Sequence, residues 1–203
     1  FFPQKRAPVA ASFAQMRPLL LKGHERPLTT VRYNREGDLL FTAAKDPVPC
    51  VWYSHNGERL GTYKGHTGAV YSLDVDQETK LLVTGSSDQS TKLWDVESGK
   101  QLQHYQHGAP ARWVNFAHGG KRFLSVTDRV MGMAPYIFVY DVSRGSQEPN
   151  PEPVLKICGH NPDAKIFQAY FGPLNRSIYA CNQDGSIAEY DAETGELKQG
   201  VQD

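Results

Sequence analysis

The chain has 203 residues, 39% hydrophobic and 11% aromatic, and 22 Lys+Arg balance 22 Asp+Glu to a formal net charge of zero. That length suits one large domain or two small ones, and the balanced charge removes any global electrostatic drive toward RNA or an anionic membrane. No run approaches the ~18 apolar residues of a membrane-spanning helix, while ten tyrosines beside abundant valine and threonine favour strands.

In chain order, residues 1–15, "FFPQKRAPVAASFAQ", carry two cations, no acid and no periodicity. They are expected to be a disordered leader or an upstream extension, with a transit peptide as the alternative, and Met16 reads as the natural start. "RPLLL" (17–21) reads as a lone leading strand.

From there the chain repeats. Gly-His occurs at 23–24, 65–66 and 159–160, and a reversed His-Gly at 107–108 keeps the beat, so the first two steps are both 42 residues. A second marker recurs as "VWYSHNG" (51–57), "LWDVESG" (93–99), "VYDVSRG" (139–145) and "EYDAETG" (189–195). Its steps are 42, 46 and 50 residues, the longer ones requiring loop insertions. Repeats are therefore expected at 23–64, 65–106, 107–158 and 159–203.

Within the second repeat, "AVYSLDV", "LLVTGS", "TKLWDV" and "QLQHY" are short strand patterns separated by polar turns. Gly57, Gly99, Gly145 and Gly195 each follow the aromatic strand, where a tight turn calls for positive φ. No stretch shows useful helical periodicity, so the chain is read as all-β, built from four-stranded sheets. "DRVMGMAP" (128–135) lengthens one turn of the third repeat and brings Met131 and Met133, which either contact a partner or tuck under their own loop. "SRGSQEPNPEP" (143–153) is an inserted loop. The chain closes on "ELKQGVQD", a poor strand.

A unit of this length with Gly-His early and Trp-Asp late resembles the WD40 repeat, which implies a β-propeller of about four blades here, part of a seven-bladed ring. A half-ring leaves an apolar face and open sheet edges.

The stretch "GSSDQSTKLWD" (85–95), with His66 upstream, invites a hydrolytic triad. No G-x-S-x-G elbow, Walker loop or H-E-x-x-H accompanies it, and the His/Asp beat repeats where a catalytic site would be single. The WD40 resemblance implies instead a structural tetrad of His66, Ser86, Asp88 and Trp94, in which a buried indole N–H is satisfied by a hydroxyl, the hydroxyl by imidazole and the imidazole by carboxylate. Partial tetrads follow at His24, Asp46 and Trp52, with Ala44 in the serine position, and at His160 and Asp184, with Asn182 and Tyr190 as replacements. Asp128 and Tyr140 are the remnant in the third repeat.

Cys50, Cys158 and Cys181 are odd in number, far apart and without C-x-x-C spacing. They read as buried thiols in a reducing compartment. Cys158-Gly-His160 has no second Cys/His pair nearby, so neither metal nor other cofactor is expected. Asn175-Arg-Ser177 matches a glycosylation sequon, but nothing else points to secretion.

"MRPLLLKGHERPLTTVRYNREGDLLF", "NGERLGTYKGHTGAVYSLDVD" and "VTGSSDQSTKLWDV" resemble subunit i of eukaryotic translation initiation factor 3, closely over 16–99 and more loosely to about 195. The resemblance implies the amino-terminal blades of a non-catalytic cytoplasmic scaffold that binds the b and g subunits. It further implies support for preinitiation-complex assembly on the small ribosomal subunit, mRNA recruitment and scanning, with indirect ribosome contact, no membrane and no sequence-specific nucleic-acid binding. The alternatives are a kinase-receptor-associated WD40 adaptor and a ubiquitin-ligase substrate receptor. The latter is weakened by Glu97, where W-D-x-R has arginine. Arg26, Arg59 and Tyr63 are candidate exposed anchors.

Overall fold

The computed structural model describes residues 18–130, 132–142 and 150–201. Four antiparallel sheets follow one another along the chain, each of four strands. The first holds β1 (Leu28–Tyr33), β2 (Leu39–Ala44), β3 (Cys50–Tyr53) and β4 (Arg59–Thr62). The second holds β5 (Val70–Val75), β6 (Leu81–Ser86), β7 (Ser90–Asp95) and β8 (Gln101–Gln106). The third holds β9 (Ala111–Phe116), β10 (Arg122–Thr127), β11 (Tyr136–Asp141) and β12 (Leu155–Cys158). The fourth holds β13 (Ile166–Phe171), β14 (Ser177–Asn182), β15 (Ile187–Asp191) and β16 (Leu197–Val201). No α-helix occurs among the described residues, and Pro173–Asn175 makes one short 3-10 turn. The architecture is all-β and fits a WD40 β-propeller.

The central strands of the second and third sheets are apolar on both faces because each of these sheets lies between two neighbours. On β6, Leu82 and Trp94 of the adjoining β7 pack with Phe41, Val51 and Tyr63 toward the first sheet. The opposite face, with Val83 and Leu93, packs with Val114, Phe123 and Tyr140 of the third. Leu124, Val126, Ile137 and Val139 then meet Ile166, Ile178 and Tyr190 of the fourth. Among the described residues, no cluster joins the fourth sheet to the first.

Polar side chains on the inner strands stitch consecutive sheets together. Thr29 Oγ1 donates to the Val70 carbonyl at 2.6 Å and Thr30 Oγ1 to the Tyr71 carbonyl at 3.0 Å. The Phe116 amide donates to Asp74 Oδ2 at 2.8 Å, the Trp113 indole to the Ala169 carbonyl at 2.9 Å, and the Phe171 amide to Asn115 Oδ1 at 3.4 Å.

The third-to-fourth-strand turns have the expected handedness: Gly57, Gly99 and Gly195 lie at φ 72°, 67° and 76°, a region costly for side chains with a Cβ. Gly145 lies outside the described residues, as do residues 1–15, Met16, Met131 and most of the proline-rich insertion. Two strand expectations are corrected. Residues 18–21 form no strand; Leu21 instead packs against the Leu40, Cys50 and Trp52 cluster. Within "ELKQGVQD", "LKQGV" supplies β16 despite its polarity, paired along β15, because the backbone bonds of an edge strand do not depend on side-chain type.

Candidate functional site

The second sheet carries a closed relay, built from the hydroxyl outward. Trp94 on β7 lies opposite Leu82 on β6, so Thr84, two residues further along the same face, is its diagonal neighbour. The Trp94 indole N–H donates to Thr84 Oγ1 at 2.8 Å. Thr84 Oγ1 lies 2.7 Å from His66 Nε2, and His66 Nδ1 lies 2.7 Å from Asp88 Oδ2. The consistent tautomer puts the proton on Nδ1, donating to the carboxylate, while Nε2 accepts from the threonine hydroxyl.

Burial pushes the His66 pKa down, outweighing the upward pull of Asp88, so the ring is a neutral link. Burial also pushes the Asp88 carboxyl up, but hydrogen bonds from His66, Ser90 and the Thr67 amide together hold it well below the usual carboxylate range. Asp88 therefore anchors the relay as an anion, with Ser90 Oγ donating to its second oxygen at 2.7 Å.

Ser86 is not the relay hydroxyl. It sits four residues past Leu82, about 13 Å along the strand, beyond the indole's reach. Its Oγ accepts from the Asp88 amide at 3.2 Å and shapes the turn instead. The same displacement corrects the first sheet, where Ala44 leaves no gap. Trp52 donates to Thr42 Oγ1 at 2.8 Å, Thr42 lies 2.8 Å from His24 Nε2, and His24 Nδ1 lies 2.9 Å from Asp46. Thr42 and Thr84 are 42 residues apart, a signal present in the sequence and masked by the more familiar serine.

The glycine of each Gly-His pair is fixed by the same indole. A Cβ on Gly65 would stand 2.9 Å from Trp94 Cη2, and one on Gly23 only 2.6 Å from Trp52 Cη2. Neither glycine has positive φ, so close approach, not backbone conformation, excludes a side chain.

The third and fourth sheets keep the parts without the circuit. Ser125 takes the threonine place and lies 2.7 Å from Thr91 Oγ1, itself 2.9 Å from His107 Nε2. Asp128, however, is turned to Arg112, whose Nε donates at 3.0 Å, and to Lys165 at 3.5 Å. His107 Nδ1 is thus left buried without a partner, and burial pushes its pKa down to about 4. In the fourth sheet Ile178 lies opposite Tyr190, so Ala180, not Asn182, holds the threonine place as its diagonal neighbour. The Tyr190 hydroxyl accepts from the His160 amide at 2.9 Å, and the His160 ring stands 4.0 Å from Asp184. Asp184, near pKa 2, is held down by Ser186 and Asn161.

Chemically, the second-sheet relay can stiffen a blade. Thr84, Ser86 and Trp94 have no exposed surface, so neither hydroxyl presents a face to a substrate. Among the described residues, no group of three or more His, Cys, Asp or Glu is arranged to hold a metal ion, and no helix is long and apolar enough to cross a membrane.

The surface candidates separate. Arg26 is exposed, and Arg59 lies over the Trp52 ring at 6.0 Å. Tyr63 is 1% exposed, packed edge-on to Trp94, with its hydroxyl donating to the Val96 carbonyl; it is core, not an anchor. Its place at the end of the strand concealed that the next sheet closes over it. All three thiols are free, and only Cys50 is buried, with its pKa raised mainly by burial; Cys158 is exposed and Cys181 intermediate. Edge-strand position puts Cys158 in solvent.

The family model EIF3I matches residues 16–203. The chain belongs to the eukaryotic translation initiation factor 3 subunit I family. It is 48% identical over 189 residues to the proteins of that name from Oryctolagus cuniculus and Homo sapiens, and 47% to that from Xenopus laevis. Those matches cover 93% of this chain but only 56–57% of the relatives, so the chain spans little more than half their length.

Proposed function

We propose that this chain supplies blades of a non-catalytic scaffold subunit of the translation initiation factor 3 complex, acting in the cytoplasm. The family match over 16–203 carries this reading. The relays in the first two sheets support it, because they spend their Thr, His and Asp groups on one another, with both threonine hydroxyls buried. A rigid stack of sheets presents loops of fixed shape, the physical requirement for holding several partners in register.

In this role the subunit binds the b and g subunits and supports preinitiation-complex assembly on the small ribosomal subunit, mRNA recruitment and scanning. Its ribosome contact is indirect. The test is affinity purification of the tagged native protein from cytosol, with mass spectrometry of what accompanies it. Other factor 3 subunits at near-stoichiometric levels are expected, with small-subunit ribosomal proteins below them. A kinase receptor or a cullin adaptor in their place would overturn the assignment in favour of a signalling adaptor or a ubiquitin-ligase receptor.

A further inference from the structure

Residues 128–135, between β10 and β11, replace a turn that the second sheet makes in 87–89, and the longer loop is held in shape. The Tyr136 amide donates to Thr127 Oγ1 at 3.1 Å across its base. Nearer the tip the Met133 amide donates to the Val130 carbonyl at 2.9 Å, with Gly132 at φ 84°. Met133 both tucks under its loop and faces solvent. Its sulfur packs on Gly108, where an added Cβ would stand 3.2 Å away, yet the side chain stays 41% exposed.

With the turn before β13, this loop walls an open cavity of about 490 Å³, lined by Arg129, Val130, Met133, Ala134, Pro162 and Lys165. Both walls come from the third and fourth sheets, whose cores are packed on one another. Charge around the cavity is unevenly met, because Arg112, Arg129 and Lys165 share the carboxylates of Asp128 and Asp163. Asp128 Oδ2 accepts from Arg112 Nε at 3.0 Å. Lys165 Nζ is left 3.5 Å from Asp128 Oδ1, a buried oxygen that accepts no hydrogen bond. That pair is one of charge alone, and the ammonium keeps donors for a further acceptor. Arg129 donates to Asp163 at 2.7 Å, but the Asp163 side chain is 83% exposed, and an ion pair in solvent is exchanged at little cost.

We propose that this cavity docks an acidic segment of a partner protein, with an apolar side chain seated against Val130, Met133 and Pro162 while carboxylates take Lys165 and Arg129. Charge selects the occupant: a basic segment would bring a further cation to two carboxylates already shared by three, whereas an acidic one supplies what the site lacks. The thioether of Met133 adapts to aliphatic or aromatic side chains, and a loop already held in shape lowers the ordering cost of binding. The inference deepens the scaffold reading and rests on it for the kind of partner, a protein. The two fail separately: co-purification of factor 3 subunits tests the role, and peptide binding by the purified chain tests this surface.

The experiment is fluorescence anisotropy of the full chain with a labelled Glu-Glu-Leu-Glu-Glu-Leu peptide, beside its Lys-for-Glu counterpart. Saturable binding of the acidic peptide alone is expected, weakening as salt is raised. Arg129→Glu and Lys165→Glu should each weaken it by about ten-fold or more, and Met133→Ala by about three-fold. Lys165→Gln, which adds no charge beside Asp128, serves if the reversal perturbs folding. Lys100→Glu, in the turn between β7 and β8, should leave binding unchanged. Absence of saturable binding overturns the site, as does equal binding of the basic peptide. So does indifference to Arg129 and Lys165, or a loss from Lys100→Glu as large as theirs.

Discussion

Trp94 and Thr84 meet through an indole N–H to hydroxyl bond of 2.8 Å, and Trp52 and Thr42 repeat it at the same length in the preceding sheet. Because each threonine is also bound to a histidine that is bound to an aspartate, one hydroxyl decides whether two other groups, the indole and the imidazole, are satisfied. Removing it orphans buried polar atoms, which costs more than the bond itself contributes.

Thr84→Val, isosteric but without the hydroxyl, should lower unfolding stability by about 1–3 kcal/mol. Ser86→Ala should cost roughly 1 kcal/mol or less, since it removes one weak turn bond. Chemical denaturation of both variants checks the assignment. Equal losses, or a larger loss for Ser86, would return the relay to the serine.

Trp94→Phe should cost about 1–3 kcal/mol through the lost N–H and part of the ring. In a Thr84→Val background the same change should cost at least ~0.5 kcal/mol less, because the bond is already gone. A double-mutant cycle measures that coupling, and strict additivity would contradict it.

Gly65→Ala should destabilise by about 1–3 kcal/mol, since its methyl would press on the rigid Trp94 ring. Adding Trp94→Phe, which removes the contacted ring edge, should recover part of the loss. A thermal melt of the three variants is sufficient. A Gly65→Ala protein melting with the parent would show that the loop yields.

His107 makes the fold acid-sensitive. Its pKa falls from the ordinary 6.5 to about 4 in the folded chain, so between those values the unfolded chain binds the proton and the folded chain does not. Stability is therefore fully present above pH 6.5 and declines as pH falls toward 4, by about 3 kcal/mol from this residue. The lowered pKa of His66 acts with the same sign. Urea titrations at pH 7.5, 5.5 and 4.5 should show the decline, and His107→Gln should flatten it. An unchanged slope in that variant would remove His107 as its source.

Much was determined by the sequence alone. A 42-residue beat of Gly-His and aromatic markers sets four strands per unit, because alternation and turn glycines act locally and recur with the repeat. The identities of His66, Asp88 and Trp94 as hydrogen-bonding partners were readable for the same reason. Which hydroxyl joins them was not: Thr84 and Ser86 share a face, and only the cross-strand register, placing Leu82 against Trp94, selects the nearer one. Tyr63 reads as a strand-end tyrosine and becomes core only when the second sheet packs over it. Asp128 keeps its place in the repeat but abandons His107, because the fold brings Arg112 and Lys165 to it from β9 and the loop before β13. Periodicity fixes what lies along one chain segment; pairing across strands and stacking of sheets fix which side chains meet.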